Sequence, residues 1–182
     1  MFTNRCQVYK TKLDVFPDTK ASVLGDYLPQ KLGMDEGETV AAVCLPGDYQ
    51  GVMVFVFENG KVAKVELSAY ATKSNRRKLT GAYSDKSPLK AAFLLREESQ
   101  IVLYSTDGRA LIFSTAQLVS RNSRDTGGNY VLSLKRNALI HRAVLLQESE
   151  IVNQSRYRAK ALPAAGALLK EEDLGHPTIA LT

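Results

Sequence analysis

Lysine and arginine are the residues of this chain whose number and spacing most clearly indicate a chemistry. Fifteen of the 24 Lys and Arg, but only six of the 19 Asp and Glu, lie between Lys61 and Arg142. That segment carries a net charge of +9, and the remainder of the chain carries −4. Such asymmetry favours a polyanionic partner for the middle segment. A solvated basic face without a partner is the alternative on charge alone.

The basic residues concentrate in two polar segments and beside the predicted turns. The densest cluster contains Lys73, Arg76, Arg77 and Lys78. The second contains Arg121, Arg124, Lys135 and Arg136. Duplex DNA carries one phosphate charge about every 1.7 Å of its axis, so a surface that wraps it needs many cations more than base-reading residues. We predict that both clusters contact phosphates, together with the basic residues that flank the turns, Lys10, Lys12, Lys61, Lys64 and Arg109.

Residues for other chemistries are scattered. His141 and His176 lack the spacing of a zinc site, and Cys6 and Cys44 stand far apart in the sequence. The sequence contains no Gly-rich phosphate loop, Ser/His/Asp arrangement or dinucleotide fingerprint. We therefore predict no catalytic residue, no metal site and no cofactor.

An internal repeat indicates how the basic residues are positioned. Val52 to Val65 matches Ile101 to Phe113, with Gly60 and Gly108 aligned at a spacing of 48. Asn59-Gly60 and Asp107-Gly108 predict β-hairpins with type I′ turns. A third copy opens the chain, where Cys6 occupies the glycine position, 54 residues before Gly60.

Each copy is followed by a polar segment and an apolar run. These runs are Thr39 to Leu45, Ala91 to Leu95 and Ala143 to Leu146. A unit thus contains about four short strands in about 50 residues, the size of a propeller-like blade. We predict an all-β chain with blades at about 1–45, 46–95 and 96–147, a partial blade at 148–160 with a strand at Arg156 to Lys160, and a C-terminal tail at 161–182.

The longest apolar run, Val52 to Phe57, is far shorter than the ~20 residues that span a bilayer. The N-terminus has no apolar signal core, so we expect a cytoplasmic protein without membrane contact. The first hairpin begins almost at its turn, and half a hairpin would leave an unpaired edge. We expect the chain to be a piece of a longer polypeptide.

These residues resemble a known family. Phe2 to Lys12, Pro17, Gly25 and Leu32 to Val43 are similar to a blade of the C-terminal domain in the A subunit of bacterial type IIA topoisomerases, and the match recurs in later blades across about residues 1–160. The resemblance implies a β-pinwheel, whose blades exchange strands and whose basic rim carries bent DNA. It also implies a bacterial, nucleoid-associated parent enzyme. That enzyme would use ATP and Mg through other regions and would contain the rest of the A subunit and a B subunit.

The sequence departs from gyrase at one motif. Gyrase carries a Gln-Arg-Arg-Gly-Gly-Lys-Gly box in one blade, and neither Asn75 to Gly81 nor Ser123 to Gly128 reproduces it. The box could lie in a part of the domain outside this chain, but we favour a topoisomerase IV-like subunit. The predicted function is non-sequence-specific binding and bending of duplex DNA. The alternative is a propeller-like platform for protein interactions, because fold alone does not determine function.

Overall fold

Short strands make up most of the regular structure in the computed structural model, which describes residues 1–72 and 77–175. The strands are β1 Phe2–Thr3, β2 Gln7–Tyr9, β3 Val40–Ala42, β4 Val52–Phe57, β5 Lys61–Glu66, β6 Lys78–Thr80, β7 Leu89–Leu95, β8 Gln100–Ser105, β9 Arg109–Ser114, β10 Asn129–Tyr130, β11 Ile140–Leu145 and β12 Ala167–Leu168. Helix α1 spans Leu28–Leu32. Single 3-10 turns span Leu13–Val15, Leu67–Tyr70, Thr115–Gln117, Leu146–Glu148, Ser155–Tyr157 and Glu171–Asp173.

The strands form three antiparallel four-stranded sheets, in the orders β3-β1-β2-β6, β10-β5-β4-β7 and β11-β8-β9-β12. Each sheet has a hairpin at its centre, and the following apolar run pairs with the first strand of that hairpin. In the first two sheets the fourth strand comes from beyond the next hairpin: β6 follows β5 in the chain but pairs with β2, and β10 follows β9 but pairs with β5. In the third sheet β12 follows the 3-10 turn Ser155–Tyr157 and pairs with β9. The predicted all-β blade architecture with exchanged strands is confirmed.

The hairpins lie where the glycines predicted them, but the predicted type I′ turn is wrong. The Gly60 N–H donates to the Phe57 carbonyl at 3.1 Å, and the Gly108 N–H donates to the Ser105 carbonyl at 3.0 Å. Among the loop residues only these glycines have positive φ, +82° and +75°. The loops are therefore three residues long and end on a left-handed residue. Cys6 has φ +54° at the equivalent place, as the repeat predicts.

Stacking of the sheets buries the middle sheet on both faces. Phe55 and Phe57 of β4 pack with Phe2 and Val8 of the first sheet. The alternate residues Val54 and Val56 pack with Ile101 and Leu103 of the third sheet. Side chains alternate between the two faces of a strand, so an apolar run with no polar position is expected wherever both faces are covered.

The far face of the third sheet is covered by the segment that follows it. Tyr157 and Ile151 pack there against Val102 and Ile112. The predicted strand at Arg156 to Lys160 is wrong, because Ser155–Tyr157 is a 3-10 turn and Arg158 makes an isolated parallel bridge to Ile112. The predicted blade boundaries and the tail at 161–182 remain predictions, although β12 lies in that tail. No helix within the described ranges is long and apolar enough to cross a membrane.

Two glycines at the same turn position offer a matched test of this packing. A Cβ on Gly60 would lie 2.4 Å from the Leu132 carbonyl oxygen, whereas a Cβ on Gly108 would meet no atom within 4 Å. We expect Gly108→Ala to lower the free energy of unfolding by about 1 kcal/mol, because only the left-handed backbone is penalised. Gly60→Ala should cost about 2–4 kcal/mol, because the clash adds an overpacking penalty. Urea unfolding measures both, and equal losses would contradict the close approach of residue 132.

Candidate nucleic-acid interface

In each sheet, the segment that leads to the outer strand places an arginine beside the second strand of the hairpin, although not at the same register position. The Lys10 N–H donates to the Arg77 carbonyl at 2.6 Å, beside the first hairpin. The Arg121 N–H donates to the Lys64 carbonyl at 2.9 Å, beside the second hairpin. Arg158 forms its bridge with Ile112 of the third hairpin. All three arginines are exposed. We call Arg77, Arg121 and Arg158 the rim arginines.

A second group of cations surrounds the outer strand β10. Lys61 lies opposite Tyr130, with its Nζ 4.6 Å from the centre of the tyrosine ring. Lys86 lies beside Gly127, two residues before this strand. The acid in this loop, Asp125, accepts a hydrogen bond from Ser123 Oγ at 2.7 Å, which lowers the pKa of its carboxyl together with the nearby charges of Lys86 and Arg124.

Lys135 and Arg136 lie exposed on a tight turn that follows the third hairpin in the chain and lies near the loops of the second and third hairpins. The Ala138 N–H donates to the Lys135 carbonyl at 3.0 Å. The chain then returns to the Glu58 and Thr106 ends of the two hairpins through backbone hydrogen bonds of 2.8 Å each. Neither side chain has an acidic partner among the described residues. The turn therefore presents two free cations.

Three residues predicted to contact phosphates bind other groups of the same chain instead. Lys78 Nζ bonds both Asp35 carboxylate oxygens at 2.9 and 2.8 Å, and this contact raises the lysine pKa and lowers the pKa of the aspartate. Arg109 donates to the Gly166 carbonyl at 3.0 Å and lies 3.3 Å from Asp107. Arg124 donates to the Ala69 carbonyl at 3.1 Å. A phosphate would have to compete with these partners.

Lys64, which was predicted to contact phosphates, is buried instead. Its side chain is only 7% exposed, and its Nζ donates to Glu98 at 2.5 Å and to the Thr115 carbonyl at 3.1 Å. A buried ammonium group requires such partners because an unpaired charge in the core is costly. Lys64 therefore stabilises the contact between the second and third sheets and is removed from the candidate interface.

The remaining predicted cations divide into two groups. Lys73 and Arg76 lie outside the described residues. Lys12 is exposed, but Lys10 donates to Thr72 Oγ1 and to the Tyr70 carbonyl, and burial and nearby Arg124 lower its pKa. Sequence reasoning missed Arg158 as a rim residue and did not single out Lys86. No register shared by the segments marks Arg158, because the amide that donates to Ile112, the counterpart of Lys64, is that of Ala159.

Comparisons with known proteins bear on the fold. No protein-family model matches the chain, and no curated protein does. Among solved structures, the chain is similar to the crystal structure of the C-terminal domain of DNA topoisomerase IV, with 24% identity and a TM-score of 0.69 over 82% of this chain and 47% of that one. It is also similar to the DNA gyrase A C-terminal domain, with 15% identity and a TM-score of 0.61 over 95% of this chain and 61% of that one.

The chain has the β-pinwheel fold of these domains. It spans about half of the topoisomerase IV domain and less than two thirds of the gyrase domain. In this pinwheel the stacked sheets share apolar cores, and exposed cations that include Arg77, Arg121, Lys135 and Arg136 lie on the exchanged segments and a turn. Within residues 1–72 and 77–175, no group of three His, Cys, Asp or Glu side chains is arranged to hold a metal ion.

Substitution of two lysines on strand β5 should distinguish a core position from a rim position by its effect on stability. Lys64→Met removes the partner of Glu98, whose pKa is lowered mainly by the hydrogen bond from Lys64 and then by that from Thr115. We expect it to cost about 1–3 kcal/mol of unfolding free energy at neutral pH. A carboxyl with a lowered folded pKa stabilises the protein above its unfolded pKa and loses that contribution as the pH falls through the folded value. The loss of stability on acidification below about pH 5 should therefore be smaller in the variant.

Lys61→Met is the matched control, because Lys61 lies on the same strand at the rim. It should leave stability within about 0.5 kcal/mol of the parent, because Lys61 is only partly buried and has no acidic partner among the described residues. Denaturant unfolding at several pH values measures both variants. Equal stability of the two, or an unchanged acid profile for Lys64→Met, would contradict the assignment of Lys64 to the core.

Proposed function

We propose that this chain binds duplex DNA through its rim without strong sequence preference, as a bending or wrapping module that contributes no catalytic group. The observation that carries the proposal is that an exposed arginine lies beside the second strand of each of three successive hairpins, at Arg77, Arg121 and Arg158. A repeated cation matches the repeated charge of a phosphate backbone. Phosphate contacts position a protein on DNA but read no sequence.

A curved series of phosphate contacts can hold DNA bent. Smooth bending of a 20–30 base-pair site by 40–90° costs on the order of 1–6 kcal/mol, so several contacts spread along the duplex are needed to offset it. The rim arginines, with Lys61, Lys135 and Arg136, supply such a spread because they lie on or beside three successive sheets. Bending by this rim would require only that the duplex follow successive blades.

We propose further that the chain is part of the A subunit of a bacterial type IIA DNA topoisomerase, in the cytoplasm and at the nucleoid. The fold likeness to topoisomerase and gyrase C-terminal domains supports this. The absence of the gyrase box from the sequence favours a topoisomerase IV-like parent. Its partners would be duplex DNA, the rest of the A subunit and the B subunit, and ATP and Mg would act through other regions.

A platform for protein interactions is the second candidate, and one feature of the first sheet favours it. Leu13, Val43 and Leu45 are 69%, 64% and 65% exposed around the mouth of an apolar cavity of about 140 Å³. An exposed apolar patch beside a cavity is typical of a protein-binding surface. Salt separates the two candidates, because an apolar interface responds weakly to salt whereas phosphate contacts respond steeply.

The double variant Arg77→Ala/Arg121→Ala tests the rim directly. We expect it to weaken binding equally for unrelated duplex sequences and to reduce the slope of log K against log salt by about 2, since each phosphate contact contributes about 0.9. Thermal stability should change little, because both side chains are exposed. Fluorescence anisotropy over a range of salt concentrations provides the slope.

Arg142→Ala is the control, because Arg142 pairs with Glu150 at 3.3 Å and overlies the ring of Tyr104. It should leave the slope unchanged. If the double variant retains the parental slope, the rim arginines do not contact phosphates. If the parent binds no duplex DNA, the platform becomes the better account.

A further inference from the structure

The outer strands of the second and third sheets each expose one large apolar side chain at the same register position. Tyr130 of β10 pairs with Lys61, the residue after Gly60. Leu168 of β12 pairs with Arg109, the residue after Gly108. The two side chains are 55% and 58% exposed. Residues directly opposite in an antiparallel pair project on the same face. An apolar side chain therefore lies beside a cation at the rim of both sheets.

The repetition is what requires an explanation, since single exposed apolar residues are common on protein surfaces. The two strands have unrelated sequences, Asn129-Tyr130 and Ala167-Leu168, yet the apolar residue occupies the same place in each. Around Tyr130 the surface is basic, with Lys61 4.6 Å from the ring centre. Lys61 has no acidic partner in the part of the chain that the structure describes. A partner that lies on these cations would also cover the ring.

A duplex presents apolar surface between its phosphates, on the deoxyribose rings and the edges of the bases in the grooves. We propose that Tyr130, and to a smaller extent Leu168, packs against this surface of bound duplex DNA and adds a salt-independent contact to the phosphate contacts of the rim. This inference rests on the proposed function, because it requires the duplex to lie along the outer strands. The tyrosine ring is the main contact because it offers the larger apolar area.

Salt distinguishes an apolar contact from a phosphate contact. Loss of a phosphate contact lowers the slope of log K against log salt, whereas loss of an apolar contact shifts the whole line and leaves its slope unchanged. We expect Tyr130→Ala to weaken duplex binding about tenfold at every salt concentration, from the apolar area left in solvent. Tyr130→Phe keeps the ring and should bind like the parent. Leu168→Ala should give a smaller loss, also at constant slope.

The control is Val152→Ala, which shortens an apolar side chain that is 60% exposed on the segment covering the third sheet. It should leave binding unchanged. The measurement is anisotropy of a labelled duplex titrated with each folded variant, with Lys61→Met as the reference for a lost phosphate contact.

Three outcomes would overturn the inference. If Tyr130→Ala lowers the slope as Lys61→Met does, the ring acts only by holding the lysine, and the inference is overturned. The same holds if Tyr130→Ala binds like the parent, or if Tyr130→Phe loses as much affinity as Tyr130→Ala, which would assign the contact to the hydroxyl. In these cases the parent still binds DNA, and the proposed function stands. A parent that binds no duplex would overturn both.

Discussion

Each sheet of this protein is closed by a strand from a later part of the chain, which in the first two sheets lies beyond the next hairpin, and the other features depend on that exchange. Without β6, β10 and β12, the second strand of each hairpin would be a bare edge with unpaired backbone groups. The exchange also ties the first sheet to the second and the second to the third. The connecting chain must run along the outside of the hairpin it completes, where Arg77 and Arg121 pair through their backbones. The fold thus fixes where these cations lie.

Because the sheets stack through apolar faces, few charged side chains can be accommodated between them. The middle sheet is buried on both faces, so a cation on β5 must either reach the rim, as Lys61 does, or find partners inside, as Lys64 does. Other cations have acidic partners nearer the surface. Asp35 holds Lys78 and Glu58 holds Lys90 at 2.6 Å. Among the described residues, Arg77, Arg121, Lys135 and Arg136 have no acidic partner and lie on exchanged segments and a turn, where the proposed phosphate contacts would form.

Local patterns predicted the local structure well. The glycine spacing located the hairpins, and the apolar runs became the strands β3, β7 and β11. The turn type was wrong because Asn-Gly is compatible with more than one short loop, and the backbone of residue 132 approaches Gly60 only in the folded chain. Lys61 and Lys64 lie three residues apart on one strand, and the sequence does not show that only Lys64 is buried by the contact between the second and third sheets. The position of Arg158 beside the third hairpin depends on its bridge to Ile112, a contact that forms only in the folded chain.

The most direct test of the central claim is a crystal structure of this chain bound to a short duplex. The account predicts that the duplex follows the outer strands β6, β10 and β12, with phosphate oxygens within hydrogen-bond reach of the Arg77 and Arg121 guanidinium groups and no base read by side chains. A duplex bound along the inner strands β3, β7 and β11, or at the first sheet beside Leu13 and Val43, would contradict it.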